Sequence, residues 1–189
     1  FHSFPAVNTL FNGLLHHPDF GTGDWSHLKV SLGGGMAVQS AVAKLWLEKT
    51  GCPIVEGYGL SETSPSACCN PVTSHTFSGT IGVPIPGTWL RCLDDDGNDV
   101  APGQPGEIAI KGPQVMAGDW QRPDETAEAL AGGWMHTGDA GWMDSRGHVF
   151  IVDRVKDMII TGGENVYSAE VEACLAAHPA VMQCAVIGL

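Results

Sequence analysis

The sequence predicts an α/β fold: a βαβ sheet, then a small β-rich subdomain, then the opening of a second, small α+β domain. Three observations predict it. The first third alternates short apolar runs with stretches of helical periodicity. From Gly79 onward Gly and Pro become frequent and the apolar runs short. After Lys156 a strand pattern, a glycine pair, a helix pattern and another apolar run follow in turn.

Each element has its own signal. Val7, Leu10, Phe11, Leu14 and Leu15 recur at helical spacing, and Pro18 follows them. Residues 28–32 are apolar on alternate positions, like a strand, and run into Gly33-Gly34-Gly35. A helix is expected over about residues 38–49, with Val42, Leu45 and Trp46 on one face. Gly51 closes it, because glycine takes the left-handed cap conformation without steric cost. Residues 52–55 form the next short apolar run. Strand, glycine turn, helix, strand is the order of a parallel sheet. In the β-rich part, strands are expected at 89–93, 107–111 and 148–152, with turns at Asp96-Gly97-Asn98 and Ser145-Arg146-Gly147. Beyond it, Met158-Ile159-Ile160 reads as a strand and residues 162–165 as a loop. Ser168 is the expected N-cap of a helix carrying Val171, Cys174 and Leu175, and residues 181–187 read as a final strand.

Composition narrows the functional classes. Hydrophobic residues make up 43% of the 189, enough for a folded core. The net charge of −12 repels phosphate backbones, so no nucleic-acid partner is expected. No apolar run approaches the roughly 20 residues of a membrane helix, and residues 1–20 lack the basic and apolar regions of a signal peptide. None of the six cysteines is spaced as C-x-x-C. Reduced thiols in a cytoplasmic protein are expected. With no initiating Met and an apolar run at its end, the chain reads as an excerpt of something longer.

Four segments carry candidate chemistry. Residues 56–63, Glu56-Gly57-Tyr58-Gly59-Leu60-Ser61-Glu62-Thr63, follow an expected strand, where α/β sheets bind ligands. The glycines admit a ligand close to the backbone, Tyr58 offers a stacking face, Ser61 and Thr63 offer hydroxyls, and Glu62 is a hard oxygen ligand suited to Mg²⁺. Trp134-Met135-His136-Thr137-Gly138-Asp139 places a carboxylate at an expected strand end, able to accept from both hydroxyls of a ribose. Residues 152–157 pack four charges, Asp153, Arg154, Lys156 and Asp157, between two expected strands. Gly162-Gly163-Glu164-Asn165 is glycine-rich. Taken singly, each has an ordinary structural reading: a turn with one buried Tyr, a capping Asp, a solvated linker and a hairpin.

Together, in this order and spacing, the segments resemble the acyl-adenylate-forming superfamily of acyl-CoA synthetases, luciferases and adenylation domains, over essentially the whole chain. Gly33-Gly34-Gly35-Met36 resembles its glycine segment, residues 58–63 its Y-G-x-T-E motif with Ser61 where Thr is usual, and Thr137-Gly138-Asp139 its ribose motif. Asp153-Arg154-Val155-Lys156-Asp157 resembles the interdomain hinge. Residues 112–123 and 4–8, with the glycine segment, most resemble bacterial long-chain fatty-acid–CoA ligases.

The resemblance implies the C-terminal part of a large AMP-binding domain over 1–153, then the hinge and the beginning of a small domain over 154–189. It implies ATP, AMP, Mg²⁺, CoA and a fatty acid as ligands. Gly34, Gly35, Glu56, Gly57 and Tyr58 would frame the adenine, Ser61 would donate to phosphate, and Glu62 would hold Mg²⁺. Asp139 and Arg154 would bind the ribose, Lys156 would be the catalytic hinge residue, and Gly162 and Gly163 would line the CoA path. An aryl- or medium-chain-acid–CoA ligase is the alternative within the family, and a non-catalytic nucleotide-binding module is the alternative outside it. The family's phosphate loop and its C-terminal catalytic Lys do not occur in these residues, so the excerpt alone is expected to be inactive. A cytoplasmic protein is expected, with peripheral membrane contact as an option and the oligomeric state open.

Overall fold

A computed structural model describes residues 1–161, 164–176, 178, 180–181 and 184–188. They form two compact units, Phe1–Ile85 and Pro86–Leu189.

The first unit is a five-stranded sheet in the order β1 (Ser3–Ala6), β2 (Val30–Gly33), β3 (Ile54–Gly59), β4 (Ser66–Cys69) and β5 (Val83–Pro84). β1, β2 and β3 are parallel, joined through α1 (Asn8–Leu15) and α2 (Ser40–Thr50). The expected βαβ order is present, and β1 precedes it: four residues containing Pro5 were too short to carry a strand pattern. Phe11 of α1 and Trp46 of α2 are both fully buried, with ring centroids 4.7 Å apart at 76°. That edge-to-face packing joins the two helices into one layer. The Trp46 indole N–H donates to Ser31 Oγ on β2 at 2.9 Å, which fixes α2 to the sheet. Gly51 ends α2 with φ +70°, its N–H donating to Leu47 O at 2.8 Å, as the sequence predicted.

The second unit is built on an antiparallel meander: β6 (Trp89–Leu93), β7 (Gly106–Lys111), β8 (Met135–Met143) and β9 (Val149–Arg154). The three strands expected here lie within one or two residues of β6, β7 and β9. Between β7 and β8, α3 (Pro123–Ala129) was not foreseen, because none of its residues is buried and it has no apolar stripe. It starts on Pro123 with Asp124 and Glu125 in its first turn, which suits a helix N-terminus.

β10 (Ile159–Thr161) pairs antiparallel with β11 (Glu164–Val166), so Glu164 and Asn165 are strand residues and not the expected loop. α4 spans Ser168–Ala176. Ser168 is not its N-cap. The Ser168 hydroxyl and the Ala169 N–H both donate to Asp153 Oδ2 on β9, at 2.8 and 3.2 Å, and this carboxylate takes over the cap. Val181 and residues 184–188 form no strand, contrary to expectation. There the Val186 N–H donates to the Glu172 carboxylate at 2.8 Å, a side-chain partner in place of a strand. No helix among the described residues is long and apolar enough to cross a membrane.

Candidate functional site

Gly34 and Gly35 follow β2 at its carboxyl end. Gly34 N–H donates to Ala6 O at 3.3 Å, and a Cβ added to Gly34 would meet Gly57 O at 3.4 Å. Backbone therefore lies against backbone there, at ordinary contact distance. Gly35 has φ +78°, which favours glycine.

Glu56, Gly57 and Tyr58 were expected in a loop after the strand. They are part of it: β3 continues to Gly59 because β4 folds back and pairs Gly57 with Cys69 and Tyr58 with Cys68. β3 thus changes partner at one point. Through Glu56 it pairs parallel with β2, and from Gly57 antiparallel with β4. The close return requires Gly59, whose added Cβ would overlap Pro65 O.

Glu56 is buried, with 8% of its surface exposed. Burial pushes its carboxyl up to about 7, against hydrogen bonds from the backbone N–H groups of Val38 and Gly79. Its Oε2 has no partner among the described residues. A buried acceptor without a donor is costly, so the position favours a ligand group that donates, such as an exocyclic amine. The Gly79 segment is anchored by Asn70 and Thr80, both buried. Asn70 Oδ1 accepts from Ser78 Oγ at 3.1 Å and Thr80 Oγ1 at 3.2 Å. Neither Asn70 nor Thr80 stands in a segment that sequence reasoning singled out.

Ser61, Glu62 and Thr63 form a single 3₁₀ turn. Thr63 is fully buried and occupied by that turn: its hydroxyl donates to Pro65 O at 2.6 Å and accepts the Leu60 N–H at 2.9 Å. It is a turn residue, not the ligand donor the sequence allowed. Ser61 is exposed and Glu62 half-buried.

In the second unit, Asp139 lies in the middle of β8, not at a strand end. It is buried and paired in register with Arg154 of β9, whose Nε is 3.5 Å from Asp139 Oδ1. Arg154 is largely exposed, so the pair contributes at most about 1 kcal/mol. A buried carboxylate beside a largely exposed guanidinium suits a vicinal diol. Thr137 donates to Ile108 O at 2.7 Å and accepts the Asp139 N–H at 3.1 Å. Lys156 is exposed in a 3₁₀ turn, Val155–Asp157, that follows β9 directly. Gly162 and Gly163 lie outside the described residues. Sequence reasoning assigned no role to Glu107, although its carboxylate reaches His136 Nδ1 (2.8 Å) and the Gly138 N–H (3.0 Å) inside the ribose-like segment. The signal available was the apolar frame of β7 around it.

Gly34, Gly35, Glu56, Gly57, Tyr58, Ser61 and Glu62 lie in the first unit, and Asp139, Arg154 and Lys156 in the second. The profile of the family described as AMP-binding enzyme matches residues 1–120. All 189 residues align at 50% identity with a protein of Escherichia coli O6:H1 named long-chain-fatty-acid–CoA ligase, of which they cover 34%. A protein of the same name from Yersinia pestis is 51% identical over the whole chain, again across 34% of its own length. Among solved structures, ATP-bound MatB from Rhodopseudomonas palustris superposes with a TM-score of 0.91 at 34% identity, over 98% of this chain and 37% of that one. The chain thus spans about a third of the length of the curated relatives it matches.

Proposed function

The chain belongs to the AMP-binding enzyme family, and on that premise we propose that the protein carrying it is a fatty-acid–CoA ligase that works through an acyl-AMP. One observation carries the acyl class: the 50% identity, over every residue, with a protein named long-chain-fatty-acid–CoA ligase. The nucleotide half of the proposal is supported by the unpartnered Glu56 oxygen and by the Asp139–Arg154 pair.

In the proposed reaction a fatty-acid carboxylate attacks the α-phosphate of ATP, and pyrophosphate leaves. The CoA thiol then attacks the acyl carbonyl, and AMP leaves. Gly34, Gly35 and Gly57 bring backbone against the adenine, Tyr58 stacks on it, and Glu56 accepts from its amino group. Ser61 donates to phosphate, and Asp139 and Arg154 take the ribose hydroxyls. Glu62, half-buried in its 3₁₀ turn, would be one protein ligand to Mg²⁺. That fits Mg²⁺, which commonly binds through one or two carboxylates with substrate phosphates and water. When bound, it supplies positive charge to the phosphate oxygens. Lys156 is the hinge residue within 154–189, the segment that follows a large domain over 1–153 and opens the small one, and Gly162 and Gly163 would line the pantetheine path. The proposed enzyme is cytoplasmic and meets membranes only peripherally, where its fatty acids partition.

The test is a competition in the full-length protein among octanoate, palmitate and 4-coumarate, with ATP, Mg²⁺ and CoA. Each buried CH₂ is worth about 0.8 kcal/mol, so kcat/KM should rise roughly tenfold per pair of carbons until the acyl site is full. Palmitate is expected to win. If 4-coumarate wins, the fatty-acid reading is replaced by an aryl-acid one.

A further inference from the structure

The residues proposed to meet the ribose sit on a bulge, and one side chain clasps it. β7 and β8 pair Glu107 with Ala140 and Ala109 with His136. Between those pairs β7 has one residue, Ile108, and β8 has three, Thr137, Gly138 and Asp139. Bulges re-aim side chains, and they leave backbone groups that the ladder no longer satisfies. Here Glu107 Oε1 accepts the Gly138 N–H at 3.0 Å, while Oε2 lies 2.8 Å from His136 Nδ1. The carboxylate therefore grips the centre of the bulge and the residue just before it. Gly138 has φ +69°, a conformation that regular strand pairing does not hold. The Thr137 hydroxyl completes the arrangement from inside the bulge.

We propose that Glu107, with His136 as its partner, is a positioning residue: it holds the bulge in the geometry that presents Asp139 to a ribose. The inference rests on the reading of Asp139 as the ribose ligand. Without Glu107 the Gly138 N–H loses its acceptor and the three-residue bulge can slip toward regular pairing. Regular pairing would take two residues out of the bulge and shift the strand by about 7 Å along its length, which would carry Asp139 away from its ligand.

The experiment measures binding of ATP and of 2′,3′-dideoxy-ATP to the full-length protein by calorimetry, for wild type, E107A, E107Q, D139A and E107A/D139A. E107A should weaken ATP binding about 10- to 100-fold, as misplaced positioning groups do, while dideoxy-ATP, lacking both ribose hydroxyls, binds it as it binds wild type. E107Q should recover most of the loss, because its amide oxygen still accepts from Gly138 and its amide nitrogen can donate to His136. In the D139A background, E107A should cost nothing further. If D139A itself leaves ATP binding unchanged, the ribose reading fails. If D139A weakens binding while E107A does not, or if E107A adds its full effect to D139A or weakens dideoxy-ATP equally, the positioning role is overturned. Should E107A not fold, H136A, which removes one arm of the clasp, carries the comparison. A loss of several-fold confined to ATP supports the role, and no such selective loss overturns it.

Discussion

At Glu56, burial and chemistry pull in opposite directions. The carboxyl is raised from an ordinary value near 4.5 to about 7 because its surroundings disfavour charge. In the unfolded chain it ionises near 4.5, while in the folded protein it keeps its proton until about pH 7. The folded state therefore loses stability as pH rises from about 4.5 to 7, and the loss is constant above that window. Glu56→Gln removes the titration. The thermal midpoint of the ligand-free variant, relative to wild type, should accordingly rise between pH 5 and pH 8. A difference independent of pH would show that Glu56 does not titrate in this window. The sequence singled out Glu56 and Asp139 as candidate ligand residues through their motifs. It could not show that Thr63, in the same motif as Glu62, spends its hydroxyl on Pro65 O, because that depends on how the chain turns after Leu60.

Among the elements, strands with strong β patterns were legible to within one or two residues, as β6 and β7 show. What was not legible depended on pairing. β3 extends through Gly59 only because β4 returns beside it, and Asp139 lies mid-strand only because β8 bulges against β7. The cap of α4 is likewise supplied from fifteen residues away, by Asp153 on β9, and no local sequence rule reaches that far. Lys156 stands between the two partners of that contact, in the 3₁₀ turn after β9. If it is the hinge, its backbone dihedrals change between the two half-reactions. Lys156→Pro fixes φ near −65° and removes that freedom. In the full-length protein, pyrophosphate release should stay within a few-fold of wild type while CoA-thioester formation falls by about 100-fold. Equal losses in both half-reactions, in a variant with an unchanged circular dichroism spectrum, would remove Lys156 from that role.

For the whole molecule, the residues of the proposed function are divided between the two units. Phe1–Ile85 supplies the glycine-lined strand ends and Glu56, and Pro86–Leu189 supplies Asp139 and Arg154. The net charge of −12 is spread over a chain with only nine Lys and Arg, which makes each cation near the proposed site, Arg154 above all, a large share of what can meet an anion. The central claim is that this chemistry activates a fatty acid by forming acyl-AMP. The most direct measurement is isotope exchange between labelled pyrophosphate and ATP, in the full-length protein, with Mg²⁺ and without CoA. The account predicts that label enters ATP only when palmitate is present, and that adding CoA then releases AMP and palmitoyl-CoA in equal amounts. Release of ADP in place of AMP, or palmitoyl-CoA formation with no palmitate-dependent exchange, would contradict it.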